Sequence, residues 1–191
     1  MGCNKKLCGY SSILGGYSID KCVDGIASAD NSIDAGRNHD KAFDDNLLTT
    51  WVSAQEYNWL KYDFGVGVAH KFVRMTYIQS FDQDYCIQDY RIQGSNNNSD
   101  WDTLVDDRFI NTHDKQIIDF ANTIAYRYFR LFTDTSWQSG GAGTTISALE
   151  VEVMIRIPVE GKIRRIMLQL TPDVKNGGIA KTNMFNLAHN L

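Results

Sequence analysis

The spacing of apolar residues constrains this chain more than any other feature. They fall in short alternating runs, broken by clusters of Asn, Asp, Gly and Ser, and no stretch of eleven or more residues carries helical periodicity. Trp59-Leu60-Lys61-Tyr62-Asp63-Phe64 alternates and stops at Gly65. Residues 71–79 place Phe72, Val73, Met75, Tyr77 and Ile78 in the pattern of a half-buried strand. Residues 90–95 form another strand, closed by the polar loop 96–100, and 116–120, 126–133 and 148–155 complete the set. Strands of this length and spacing predict an all-β fold, a sandwich or a jelly roll.

At 191 residues the chain holds one ordinary domain plus some additional sequence. Three segments are expected: an N-terminal arm over 1–20, the sandwich over 21–154, and a C-terminal extension over 155–191. In the extension, Arg156-Ile157-Pro158-Val159 and residues 162–170 flank Glu160-Gly161 as a basic hairpin, with Pro158 suited to an edge strand. Such an extension would dock on the sandwich or on a neighbouring subunit.

A net charge of -4 supplies no basic face, which argues against nucleic acid or an anionic membrane as the main partner. The apolar runs fall far short of the roughly 20 residues of a membrane span. Residues 1–17 show no apolar core of a secretory signal, and Lys6 occupies the position where a myristoylation pattern requires Ser or Thr. Cys3 and Cys8 match neither a redox pair nor a full zinc site, while Cys22 and Cys86 are open to either a bridge or free thiols.

Catalytic patterns are missing. The sequence has no nucleophile elbow, no HExxH helix and no phosphate-cradling glycine loop, and His39, His70, His113 and His189 are scattered. The acid pairs Asp82/Asp84 and Asp106/Asp107 read as solvated turn residues rather than a glycosidase dyad. The expectation is a protein that binds and does not catalyse.

Collinear motifs narrow this further. They are Ile26-Ala27-Ser28-Ala29, then Lys41-Ala42-Phe43-Asp44-Asp45-Asn46 with Thr49 and Trp51, then Trp59 to Gly65. Tyr90 to Ser95 with Trp101, Tyr126-Arg127-Tyr128-Phe129-Arg130-Leu131 and Ala148 to Val153 follow in order. Over about two thirds of the chain this series resembles the discoidin (coagulation factor five/eight type C) domain family and the similar family 32 carbohydrate-binding modules. The resemblance implies an antiparallel jelly-roll β-sandwich, galactose-binding-like, with ligand loops at one end. It also implies a structural cation, Ca²⁺, held by the carbonyl of Lys41, Asp44, Asn46, Thr49, the carbonyl of Leu149, and Glu150. Such a mixture of carboxylate, carbonyl and hydroxyl oxygens suits a hard cation. Asp45 stands where Gly often follows the Asp of this pattern.

Sugar recognition needs an aromatic plane against the apolar face of a pyranose and polar side chains for its hydroxyls. In the implied layout the ligand loops are 31–40, 53–58, 81–86 and 134–145. Trp137, between Ser136 and Gln138, is the leading stacking candidate; Tyr57 and Tyr85 are weaker ones, and Arg37, His39 and Asp82 are candidate polar contacts. Many sugar-binding relatives place His after the Trp of the cation loop, where this chain has Val52, so galactose-type specificity does not carry over. The expected function is recognition of a surface glycan or glycoprotein, at a cell exterior or virion surface. The alternative is a structural or assembly protein, such as a virion component, whose sandwich and extension hold a homo-oligomer or larger assembly together.

Overall fold

Strict alternation of buried and half-buried residues runs from Asn58 to Asp63, and it makes this segment a strand with one face on a core. The computed structural model describes residues 16–79, 86–137 and 146–158. Their strands are β1 (Ile26–Ala29), β2 (Trp51–Ser53), β3 (Asn58–Asp63), β4 (Phe72–Ile78) and β5 (Asp89–Ser95). They continue with β6 (Asp102–Arg108), β7 (Gln116–Asp119), β8 (Tyr128–Thr133), β9 (Ile146–Ala148) and β10 (Glu150–Ile155). These strands pair antiparallel, in a five-stranded sheet β1-β3-β8-β5-β6, a three-stranded sheet β10-β4-β7 and a two-stranded pair β2-β9. This is the expected β-sandwich.

Aromatic rings fill the space between the sheets. Phe109 lies stacked between Tyr77 of β4 (4.2 Å) and Tyr90 of β5 (3.8 Å), so one ring ties both sheets together. Phe72 meets Phe64, Phe120, Tyr126 and Phe129, with all five packed in or against one core. Offset and edge-on ring pairs of this kind add roughly 0.5–1.5 kcal/mol each beyond the area they bury.

The structure departs from the sequence reading in several places. Strand β6 was not expected, because both its faces are largely exposed and its polar residues obscure the alternation. Asp106 and Asp107 therefore stand on a strand and not in a turn, and successive strand residues point to opposite faces, so they form no carboxylate pair. Two short 3₁₀ turns, Ala35–Arg37 and His39–Ala42, occupy the first ligand loop. Cys22 and Cys86 are unbridged, and both are buried.

Residues 16–20, inside the expected arm, run along β10. Ser18 N–H donates to Ile155 O (2.9 Å), Lys21 N–H to Val153 O (2.8 Å), and Asp20 accepts from Val153 N–H (2.6 Å). The edge of β10 is thereby covered. Beyond Pro158 the expected hairpin lies outside the described residues. Among the described residues no helix is long and apolar enough to cross a membrane.

One glycine is dictated by packing. A Cβ on Gly94 of β5 would lie 2.4 Å from the ring of Tyr126, a buried side chain whose hydroxyl donates to Asp102 (2.8 Å). Gly94→Ala is expected to lower unfolding stability by about 1–3 kcal/mol, the usual cost of overpacking a filled core. Urea denaturation measures this; an unchanged midpoint would mean the ring is not confined.

Candidate functional site

Trp51 organises the loop end of the sandwich. Its ring is fully buried, and its indole N–H lies 3.2 Å from both the Asn31 carbonyl and the Ser32 hydroxyl, which fixes the start of the first loop. Asn31 Oδ1 in turn accepts from Ala54 N–H (3.2 Å), and Asn58 donates to the hydroxyl of Ser53. Glu56 reaches to the other side, where its carboxylate accepts from Ser136 N–H (3.1 Å) and its carbonyl from the Thr133 hydroxyl (2.7 Å). Loops 31–40, 53–58 and the start of 134–145 thus converge at one end of the molecule, as the sequence implies. Asn31 and Glu56, which connect them, escaped the sequence reading; a polar residue in a loop gives no sign of which backbone it will cap.

The candidate ligand residues differ in their freedom. Trp137 is half-buried: its backbone N–H donates to Cys86 O (2.9 Å), and the Arg108 guanidinium lies 5.9 Å from its ring centre. Its indole N–H is buried without an acceptor among the described residues. The small flanking Ser136 therefore does not leave its ring fully open. Arg37 gives its fork to Asp34 (3.0 and 2.6 Å), and Asp34 also caps the first 3₁₀ turn by accepting from Gly36 and Arg37 N–H. That pairing holds the Asp34 carboxyl below its usual range. His39 lies 3.6 Å from Asp40 on the second turn. Tyr57 is 64% exposed and packs edge-on against Phe132, on the outer face of the large sheet. Asp82 and Tyr85 lie outside the described residues. Val52 is buried, with its carbonyl accepting from Ile33 N–H (2.8 Å), so its side chain presents nothing to a ligand.

The residues of the implied cation set gather beside this end. Asp44 Oδ1 accepts from Asn46 N–H (3.2 Å), and the Thr49 hydroxyl lies 2.9 Å from each Asp44 oxygen. Asn46 Oδ1 accepts from Leu48 N–H (3.1 Å), and the Lys41 ammonium lies 3.5 Å from Asp44. Asp45 adopts φ 53°, the left-handed region that Gly occupies freely and that Asp tolerates better than most residues. The turn His39–Ala42 packs against β2 and β10, which brings the loop to Glu150 at the start of β10. Leu149 precedes it, buried, with its N–H donating to Ile78 O (2.8 Å).

Glu150 is the anomaly of the site. Its side chain is 3% exposed, and neither carboxylate oxygen has a hydrogen-bond partner among the described residues. Burial, followed by the nearby charges of Asp45, Asp44 and Asp20, pushes its carboxyl up to about 8. A buried ionisable group without a partner is costly unless a counter-charge satisfies it. Among the described residues no three acidic, His or Cys side chains gather at metal distance. Two carboxylates supplemented by neutral oxygens nevertheless fit the needs of Ca²⁺.

Comparison with known proteins agrees with the geometry. The F5/8 type C domain profile matches residues 26–151. No curated protein sequence matches. Among solved structures, the family 32 module of Clostridium perfringens NanJ in complex with galactose superposes with a TM-score of 0.62 at 16% identity, covering 73% of this chain and 99% of that one. A second Clostridium perfringens module, in complex with GalNAc-β-1,3-galactose, gives 0.60 at 16% identity, covering 71% and 99%. Chitosan-binding module 2 of a Paenibacillus sp. IK-5 chitosanase/glucanase, in complex with chitotriose, gives 0.55 at 24% identity, covering 70% and 98%. With the profile spanning about two thirds of its length, the chain belongs to the F5/8 type C, or discoidin, domain family.

Proposed function

We propose that this protein is a non-catalytic carbohydrate-binding module that recognises a surface glycan through the loop end of its sandwich, with a structural Ca²⁺ bracing that end. The observation that carries the reading is the convergence of loops 31–40, 53–58 and 134–137 at one end of the sandwich, in a fold shared with modules solved with galactose, GalNAc-β-1,3-galactose and chitotriose. Trp137 supplies the aromatic surface, and polar groups of the first two loops supply hydrogen bonds to hydroxyls. A ligand of this kind implies work at a cell exterior or virion surface. Buried Val52 leaves the choice of sugar to the remaining loop residues. In a glycan-array screen with calcium present, a positive sugar is expected to lose at least about tenfold in affinity in Trp137→Ala, since truncating a central aromatic costs upwards of 1–2 kcal/mol. Retained binding in the variant would move the site away from this end.

The Ca²⁺ would be held by Asp44, Asn46, Thr49, Glu150 and the carbonyls of Lys41 and Leu149, and it would tie the loop to β10. What supports it is the unpartnered Glu150 carboxylate beside Asp44. Calcium at a hundred times its dissociation constant is expected to stabilise the protein by about 2.7 kcal/mol. Chelator should remove that increment, and Asp44→Ala should abolish it. Equal melting temperatures with and without chelator would reject the ion.

Glu150 adds a pH signature. Its carboxyl stands near 8 in the folded protein against an ordinary value of 4.5, so the protonated form favours folding. The metal-free protein should therefore hold this contribution fully below about pH 4.5 and lose it as pH rises toward 8. Bound Ca²⁺ favours the ionised form, so the calcium-dependent rise in melting temperature should grow over the same window. Melting curves in chelator and in calcium at pH 5, 6.5 and 8 measure this. A chelated protein whose stability difference from Glu150→Gln does not vary with pH would exclude Glu150.

A further inference from the structure

The outer face of the five-stranded sheet carries a feature that the loop end does not use. Antiparallel register sets Trp59 of β3 opposite Phe132 of β8, and Phe132 opposite Arg91 of β5. The next row sets Lys61 opposite Arg130, and Arg130 opposite Gln93. All but Phe132 and Gln93 are half-exposed, and Trp101 and Tyr57 extend the surface at its two sides.

Lys61 and Arg130 are like charges directly opposite on neighbouring strands, an arrangement that costs stability. Among the described residues each bonds only a neutral oxygen: Lys61 Nζ reaches Asn98 Oδ1 (2.9 Å), and Arg130 Nε reaches Gln93 Oε1 (2.8 Å). The nearby acids are engaged elsewhere. Asp63 takes the Arg127 fork (2.8 and 2.7 Å) and Asp134 takes the Arg91 fork (2.9 and 2.6 Å). Asp106 stands on the edge strand opposite Arg91. Partial burial lowers the proton affinity of both cations; the charge of Arg130 then adds to the effect on Lys61, and that of Arg91 to the effect on Arg130, which is held near 10.

Aromatic stacking offsets the repulsion but gives neither cation a counter-charge. Lys61 Nζ lies 4.8 Å from the Trp59 ring centre, and the Arg130 guanidinium lies 3.9 Å from that of Trp101. Such contacts contribute about 0.5–1 kcal/mol at partly exposed positions, comparable to the repulsion they offset. A guanidinium stacked on an indole is also oriented for planar, two-pronged recognition of a carboxylate or sulfate. Its Nη groups have no partner among the described residues.

We propose that this sheet face is a second binding site, in which Lys61 and Arg130 together hold an acidic group of a uronate- or sulfate-bearing saccharide, flanked by Trp59 and Trp101. The assignment takes from the preceding reading only that the ligand is a saccharide. Charge complementarity favours an isolated acid on a sugar over a nucleic acid backbone: two adjacent cations bordered by Asp63, Asp106 and Asp134, on a chain of net charge -4, oppose a dense polyanion.

Calorimetric titration at low salt with a galacto-oligosaccharide bearing a single galacturonate, its fully neutral counterpart of equal length and a single-stranded oligonucleotide tests the site. The wild-type chain is expected to bind the singly acidic sugar, more weakly as salt rises. Lys61→Gln and Arg130→Gln should each weaken it about tenfold or more, the loss expected for a charge-assisted hydrogen bond, and Trp137→Ala should leave it unchanged. Lys61→Gln should also melt close to wild type, because the repulsion it relieves offsets the contact with Trp59 that it loses. Absence of binding of the acidic sugar, insensitivity to both substitutions, or equal binding of the oligonucleotide would overturn the sheet-face site. Loss in Trp137→Ala would assign the acidic sugar to the loop end instead. Neutral-sugar binding reports on the loop end alone, so either site fails separately.

Discussion

Everything at the loop end depends on the wedge of Phe109 between Tyr77 and Tyr90. That stack sets the separation of the two sheets, and Tyr77 is anchored beyond it by its hydroxyl, which donates to the Ser147 carbonyl on β9 (2.8 Å). β9 pairs with β2, which positions Trp51, whose indole holds the first ligand loop through Asn31 and Ser32. A core interaction is thus passed to loop geometry through three polar contacts, none of which is solvent-borne. Under the proposed function the loops carry the recognition, while their positions are decided by buried rings.

The second constraint is electrostatic. The interior next to the loop end contains a carboxyl group, Glu150, with no partner among the described residues, and three acids raise the cost of ionising it. A sandwich of this size has a stability of about 5–15 kcal/mol, so ionising the group without a counter-charge would consume a substantial fraction of it. A divalent cation would turn a repulsive cluster into a clamp between the 41–49 loop and β10. The same logic would apply to the left-handed Asp45: its strain and its charge would be tolerable in a loop whose acids shared one counter-ion.

Much of this was legible in the sequence, and the reasons are specific. β3, β4, β5 and β8 announce themselves because one face is buried, which forces alternation. The discoidin motifs were readable because they lie along those strands and the 41–51 loop. β6 was not, since an edge strand exposed on both faces obeys no apolar period. The 3₁₀ turns were missed because Asp34 caps through a local contact that composition does not signal. Trp137 shows the limit of neighbour-based inference: Ser136 and Gly140 suggest openness, while Arg108 and the Cys86 carbonyl come from distant parts of the chain. The juxtaposition of Lys61 and Arg130 is of the same type. Alternation shows that each points outward, but only register shows that they are opposite.

That register makes the two surfaces of this sandwich different in kind. At the loop end, side chains are held by caps and turns such as Asp34 on Arg37, so the geometry can change with a few substitutions while the core stands. On the sheet face, Trp59, Lys61, Arg130 and Arg91 are fixed by backbone ladders at about 4.8 Å between strands, and their spacing cannot change unless the sheet does. A rigid row of cations discriminates by where charge falls along a ligand, whereas a loop-borne aromatic discriminates by the shape of a ring. A fold that offers both presents two independent criteria to one glycan, and avidity from their joint use requires only that a single chain span the distance from sheet face to loop end.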